Sequence, residues 1–180
     1  GTGRMLGATD MGDTSPQSFF AIQDDLAATT SPLHPSLRSN LVPQPVMSDG
    51  TARVASPSAL TVDWALKAGW VVDLPDSGER NNTDPLLVAG TVVFTTNVPG
   101  TASVCAAGGH SWTYYLDYQS GTAVDSADAS QSGYSVVAVK DLAFSTKVVG
   151  VSVGGKVQGI RNNSIGQVDV RRIPISRKTQ

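Results

Sequence analysis

Apolar and β-branched positions in this chain come in short runs that alternate with polar ones, and Gly, Pro, Asn and Asp break the runs apart. That period of two, with turn residues as punctuation, predicts strands rather than helices. Strands are expected at Gly69–Leu74, Thr91–Thr96, Ser111–Asp117, Tyr134–Val139, Val148–Val153, Lys156–Ile160 and Val168–Ile173, with a further β run at Ser18–Ile22. Pro75-Asp-Ser-Gly78 reads as a turn. Ala89-Gly90 joins Leu86–Val88 to the Thr91 strand as a hairpin, and Gly154-Gly155 joins the two valine-rich runs around it. Trp112, in the Ser111–Asp117 run, is expected in an inter-sheet core. The longest helix expected is about two turns, within Thr61–Ala68, with Thr61 as its cap.

The stretch 69–121 is the best-defined unit. Its runs suit one propeller blade, a twisted antiparallel sheet of about four strands. Residues 134–174 supply the final strands. Residues 29–63 hold five prolines among Ser, Thr and Ala. Proline removes a ladder donor, so 31–60 is expected to be an irregular insertion between blades, with one short strand near Arg53-Val54. The fold class that follows is all-β, with blade-like antiparallel sheets from part of a β-propeller spanning 1–180.

Composition narrows the chemistry. Charged residues make up 16% of the chain and the net charge is −2. Phosphate binding needs a basic surplus, so nucleic acid is not an expected partner. No apolar run reaches the ~20 residues of a membrane helix, so the chain is not expected to span a membrane by a helix. Gly1-Thr-Gly reads as a strand end rather than a natural N-terminus, which makes the chain a fragment on this reading.

Candidate reactive groups do not converge. Asp24 and Asp25 are neighbours, which a strand would point to opposite faces, and they read as turn residues. Asp125-Ser-Ala-Asp128 and the Asp10/Asp13 pair lack the alternating oxygen ligands of a calcium loop. His34, Cys105 and His110 are too few for a structural zinc site. Glu79 and Arg80 are expected to pair with each other or with neighbours, in a surface bridge worth about 0–1 kcal/mol. Asn81-Asn-Thr83 and Asn162-Asn-Ser164 fit the glycosylation pattern but read as turns. Arg161, Arg171, Arg172, Arg177 and Lys178 read as a solvated strand face. No catalytic, cofactor-binding or metal residues are assigned. The candidate contact positions lie in segments expected to be exposed: Pro43 and Pro45 in the proline-rich segment, Cys105 and His110 in the Gly-rich loop 97–110.

The wording of several segments supports a family resemblance. Gly69 to Arg80, Val93-Phe-Thr-Thr96, and Gly108-Gly-His-Ser-Trp112 to Asp117 resemble the C-terminal β-propeller of the PilY1 (PilC) family of type IV pilus tip proteins. Gly1-Thr-Gly-Arg-Met-Leu-Gly7, with Asp13-Thr14 and Gln17-Ser-Phe-Phe-Ala-Ile22, looks like an earlier blade of the same propeller. The phrase Trp112 to Gly121 also matches the outer strand of quinoprotein-like repeats. The resemblance implies a non-enzymatic pilus-tip adhesin and biogenesis factor, exported through the periplasm to the cell surface. Its implied partners are minor pilins and a host-cell or abiotic surface. It implies no cofactor in this stretch and leaves room for calcium elsewhere in the full-length protein. Cys105 reads as a small buried hydrophobe or loop thiol, and the resemblance adds a partner outside the fragment as the other reading. The alternatives are a quinoprotein-like dehydrogenase fragment and a purely structural β scaffold.

Overall fold

The computed structural model describes residues 1–24, 26, 37–48, 52–56, 58–100, 108–125, 136–141, 147–154, 156–162 and 168–177. The described residues are almost wholly β. The strands are β1 (Ser18–Ile22), β2 (Leu41–Pro43), β3 (Val46–Ser48), β4 (Ala52–Ala55), β5 (Gly69–Asp73), β6 (Leu86–Val88), β7 (Thr91–Pro99), β8 (Gly109–Asp117), β9 (Val136–Asp141), β10 (Val149–Val153), β11 (Lys156–Asn162) and β12 (Val168–Arg172). A four-residue helix, α1 (Ala8–Met11), and a 3-10 turn at Leu37–Asn40 complete the order.

These strands form three sheets, ordered β1-β5-β2, β3-β4-β9-β8-β7-β6 and β10-β11-β12. The pairings are antiparallel except that of β2 with β5, which is parallel. The central sheet has six strands where a blade of about four was expected, and the described residues do not close into a propeller. The central sheet uses both faces, as the period of two requires. On one face Phe94, Trp112, Tyr114 and Leu116 pack with Phe19, Trp70 and Val72 of the β1-β5-β2 sheet. Phe94 is stacked between Phe19 and Tyr114, with ring centroids 3.8 and 4.6 Å apart. On the other face Val93 and Tyr115 pack with Val148 and Ile173, alongside Val157 of β11. Trp112 is 2% exposed, as its place in the pattern predicts.

The hairpin turns follow the sequence. Ala89 and Gly90 both have positive φ, 46° and 77°, the geometry that matches strand twist in a two-residue turn. The proline-rich segment departs from expectation. Its described part carries β2, β3 and β4, and only Arg53-Val54 was expected to be strand. Pro43 is tolerated because β2 is the edge of its sheet, where a missing N–H breaks no inner ladder. The Gly-rich loop is also shorter than 97–110, because β7 runs to Pro99 and β8 starts at Gly109. At 61–68, Asp63 rather than Thr61 caps the single turn, accepting from the Ala65 N–H on Oδ1 and from the Lys67 N–H on its carbonyl. β9 is described from Val136, and Tyr134 lies outside the described residues.

Candidate interaction surface and its buried anchor

Pro43 and Pro45 are both exposed. They line a surface groove of about 420 Å³ together with Leu60, Val71, Asp73 and Pro75. Its shape depends on the buried Gln44 between the two prolines. The Gln44 backbone N–H donates to the Val71 carbonyl at 2.8 Å. Its side chain donates to the carbonyls of Leu60 (2.5 Å) and Ser120 (2.7 Å) and accepts from the Leu60 N–H. A single amide thus ties β2, the 58–61 segment and the turn after β8 together. Asp73 on the rim is held by Ser18 and Arg38. Burial opposes its ionisation, but the bonds from Arg38 and Ser18 leave its carboxyl below the ordinary value.

A buried polar cluster includes Asp76 of the Pro75–Gly78 turn, whose Pro75 lines the groove. Arg53 of β4 lies opposite Ala138 of β9, which lies opposite Tyr114 of β8. The small Ala138 leaves room for the arginine to reach across its own sheet. A register shift at Arg53/Val54 pairs them with Ala138 and Val136, so Val137 is the extra residue of a bulge and both Val137 and Ala138 are fully buried. The guanidinium lies 3.9 Å over the Trp112 ring. Its Nη1 donates to Glu79 Oε1 at 2.7 Å and to the Tyr114 hydroxyl. Its Nη2 sits 2.9 Å from Asp76 Oδ1. Glu79 Oε1 also accepts from Thr96 (2.5 Å) and Tyr114 (3.0 Å), and Oε2 accepts from the Asp76 N–H. Arg53 and Glu79 side chains are both 0% exposed.

This corrects the expectation of a surface bridge at Glu79 and Arg80, since both side chains are buried. Glu79 pairs with Arg53, and Arg80 is buried separately, donating to backbone carbonyls. One signal for this was in the chain: Glu79 is its only glutamate. Its partner is 26 residues away on a strand the proline content obscured.

His110 lies on β8 rather than in a loop, half-buried, with Nε2 3.0 Å from Asp76 Oδ2. A carboxylate only accepts, so that nitrogen carries the proton. Trp112 Nε1 donates to the same oxygen at 2.8 Å. Desolvation raises the Asp76 carboxyl, but His110, Trp112 and the Arg53 charge together bring it below its ordinary value. Burial, with the Glu79 charge beside it, pushes the Tyr114 hydroxyl well above its usual value. These contacts pin the 75–78 turn to the central sheet, although the buried Arg53 Nε makes no hydrogen bond among the described residues. His110 therefore belongs to the anchor, and Pro43 and Pro45 to the surface it supports. Cys105 lies outside the described residues.

The other sequence candidates are dispersed. Asp24 accepts from the Leu26 N–H as a turn residue, and Asp25 lies outside the described residues. Asp10 accepts from the N–H groups of Leu6 and Gly7, and Asp13 from Ser15. Asp125 sits 3.5 Å from Arg177, while Asp128 and His34 lie outside the described residues. No group of three or more His, Cys, Asp or Glu side chains that could hold a metal ion occurs among the described residues. Asn81 is buried and donates to the Thr95 carbonyl.

Of the anchor, Asp76, Glu79, Thr96, His110, Trp112 and Tyr114 fall within the stretches whose wording resembles pilus proteins, whereas Arg53 and the groove's Pro43 and Pro45 do not. Over 62 residues the chain is 48% identical to the type IV pilus biogenesis factor PilY1 homolog of Xylella fastidiosa (strain Temecula1 / ATCC 700964). The match covers 32% of this chain and 4% of that protein's length. No family model matches, and no solved structure matches. No helix among the described residues is long and apolar enough to cross a membrane.

Proposed function

We propose that this chain is a non-enzymatic part of a type IV pilus-associated protein, acting at the cell surface through protein–protein contact. The observation that carries this reading is the 48% identity over 62 residues to a pilus biogenesis factor. The fold is compatible with it: stacked β sheets make a rigid scaffold, and the Pro43/Pro45 groove is an exposed surface held by buried bonds. On this reading the groove contacts a minor pilin at the pilus tip, and the protein supports pilus assembly and attachment to host cells or abiotic surfaces. Polar groups of the anchor serve to hold that surface in shape.

Removing the proline-rich segment would not test this, because it would take Arg53 and β2–β4 with it. The test places Pro43→Asp and Pro45→Glu in the full-length protein in its own cell, and counts surface pili and adherent cells. Both positions are exposed, so the melting temperature of the purified variant should hold. Piliation or adhesion should fall. Wild-type counts with these variants would remove the groove as the contact surface. Wild-type counts after excision of the whole 1–180 region would sink the pilus reading for it.

A further inference from the structure

Arg80 is 3% exposed, yet its guanidinium is bonded to backbone oxygens alone among its described hydrogen bonds. Nε donates to the Gly78 carbonyl at 2.9 Å, and Nη1 to the Arg4 carbonyl at 2.9 Å and to the Asp10 carbonyl. Nη2 donates to the Asp13 carbonyl at 2.6 Å. Three of these four oxygens belong to one loop. Within it, the Asp10 carboxylate turns inward, taking the N–H groups of Leu6 (2.8 Å) and Gly7 (3.0 Å) and Arg4 Nε (3.0 Å). The loop's own bonds therefore close a ring of backbone around carbonyls that face a cation. Gly3, at φ +114°, lets the chain enter across the Arg80 stem, where an added Cβ would lie 2.3 Å from the Arg80 Cβ. Leu6, 87% exposed, and Met11, 37% exposed, are left on the outside.

We propose that Arg80 is the built-in cation of this loop, a latch that holds residues 4–13 as one preformed unit and so presents Leu6 and Met11 to the surroundings. Carbonyl oxygens converging on a central positive charge is how metal-binding loops are ordered. A guanidinium offers five donors in a fixed fork and stays charged, so it can satisfy several carbonyls at once. A lysine ammonium is a compact point charge on a flexible stem and does not reproduce the fork. Arg80 is tied to β7 by its backbone, exchanging N–H···O bonds with Asn97 in both directions. Releasing its side chain thus frees the loop and leaves that bridge intact.

The experiment is hydrogen exchange on the full chain, following peptides 4–13 and 91–99 in wild type, Arg80→Ala and Arg80→Lys. The bonded amides of Leu6, Gly7, Asp10 and Asp13 should exchange about tenfold faster or more in Arg80→Ala, as loss of charge-assisted bonds predicts. The β7 peptide should keep its rate. Added guanidinium, well below denaturing concentration, should slow loop exchange in Arg80→Ala, and Arg80→Lys should remain fast. Unchanged loop rates in Arg80→Ala would overturn the proposal. So would equal acceleration of β7, which would make Arg80 a support of the whole sheet. Should Arg80→Ala fail to fold, the wild-type protein decides. A single common opening of those four amides, faster than β7, supports the latch, and exchange only at the rate of global unfolding refutes it.

Discussion

Replacing Arg53 by Met is the perturbation that most directly tests the account of the anchor. The side chain is fully buried, with Glu79 equally buried at 2.7 Å. Removing one partner of such a pair leaves an uncompensated buried charge, which costs about 3–5 kcal/mol. In Arg53→Met the stranded charge is Glu79, with Thr96, Tyr114 and the Asp76 N–H still donating to it. Loss of the guanidinium over Trp112 adds about 0.5–2 kcal/mol. Glu79→Leu should cost a similar 3–5 kcal/mol, because the carboxylate left beside the buried Arg53 is then that of Asp76, which is 31% exposed. The double variant should be far better than the sum. With both charges gone, Met and Leu fill the site, and about 3 kcal/mol of coupling should appear in the cycle. Urea unfolding of the four proteins gives the numbers, with constant m-values as the check that the native state is retained. A double variant costing the full sum would show the two residues act independently. An Arg53→Met cost below about 1 kcal/mol would show that water reaches the site.

Three further outcomes follow from the same packing. Trp112→Ala should lose about 3–5 kcal/mol, since the ring is buried and its Nε1 holds Asp76, and an unchanged melting temperature would contradict the core assignment. Asp76 is ionised below its ordinary range in the folded protein, so its contribution is complete above about pH 4 and disappears as pH falls through the lower folded value. Asp76→Asn should therefore flatten the acid side of the stability–pH curve measured by denaturant titration, and an identical curve would refute the linkage. Gly121→Ala should cost about 1–3 kcal/mol or more, because φ is +69° and the new Cβ would lie 2.4 Å from the buried Trp70 ring, and calorimetry showing no loss would refute that contact.

What the sequence revealed was local. The alternation in Thr91–Thr96 and Ser111–Asp117 gave strand and facing together, so Phe94, Trp112 and Tyr114 fall on one buried face as the period demands. Ala89-Gly90 fixed its hairpin because few residues accept two positive φ values in a row. What stayed hidden depended on partners distant in the chain. Pro43 argues against a strand unless the strand is known to be an edge, and only the pairing with β5 shows that. Glu79 beside Arg80 reads as a surface bridge, but their side chains are claimed by Arg53 on one side and by the Arg4, Asp10 and Asp13 carbonyls on the other. Of the four contact candidates, Pro43 and Pro45 line the groove, His110 supports it from within, and Cys105 lies outside the described residues.

The strand order of the central sheet dictates an order of assembly. The β6–β7–β8 meander joins neighbours in sequence and can close quickly on local contacts. The β4–β9 ladder joins segments separated by residues 56–135, so its loop-closure entropy is paid before any of its contacts are gained. Until β9 arrives on β8, β4 has no place to dock and Arg53 has no counter-charge. A chain threaded slowly, N-terminus first, would hold the 46–55 hairpin unpaired through the emergence of the whole intervening stretch. The kinetic signature is a fast phase reported by the 86–117 strands and a slower one reported by Trp112 fluorescence as the guanidinium settles over it. Substitutions in β9 should slow that second phase and leave the first alone.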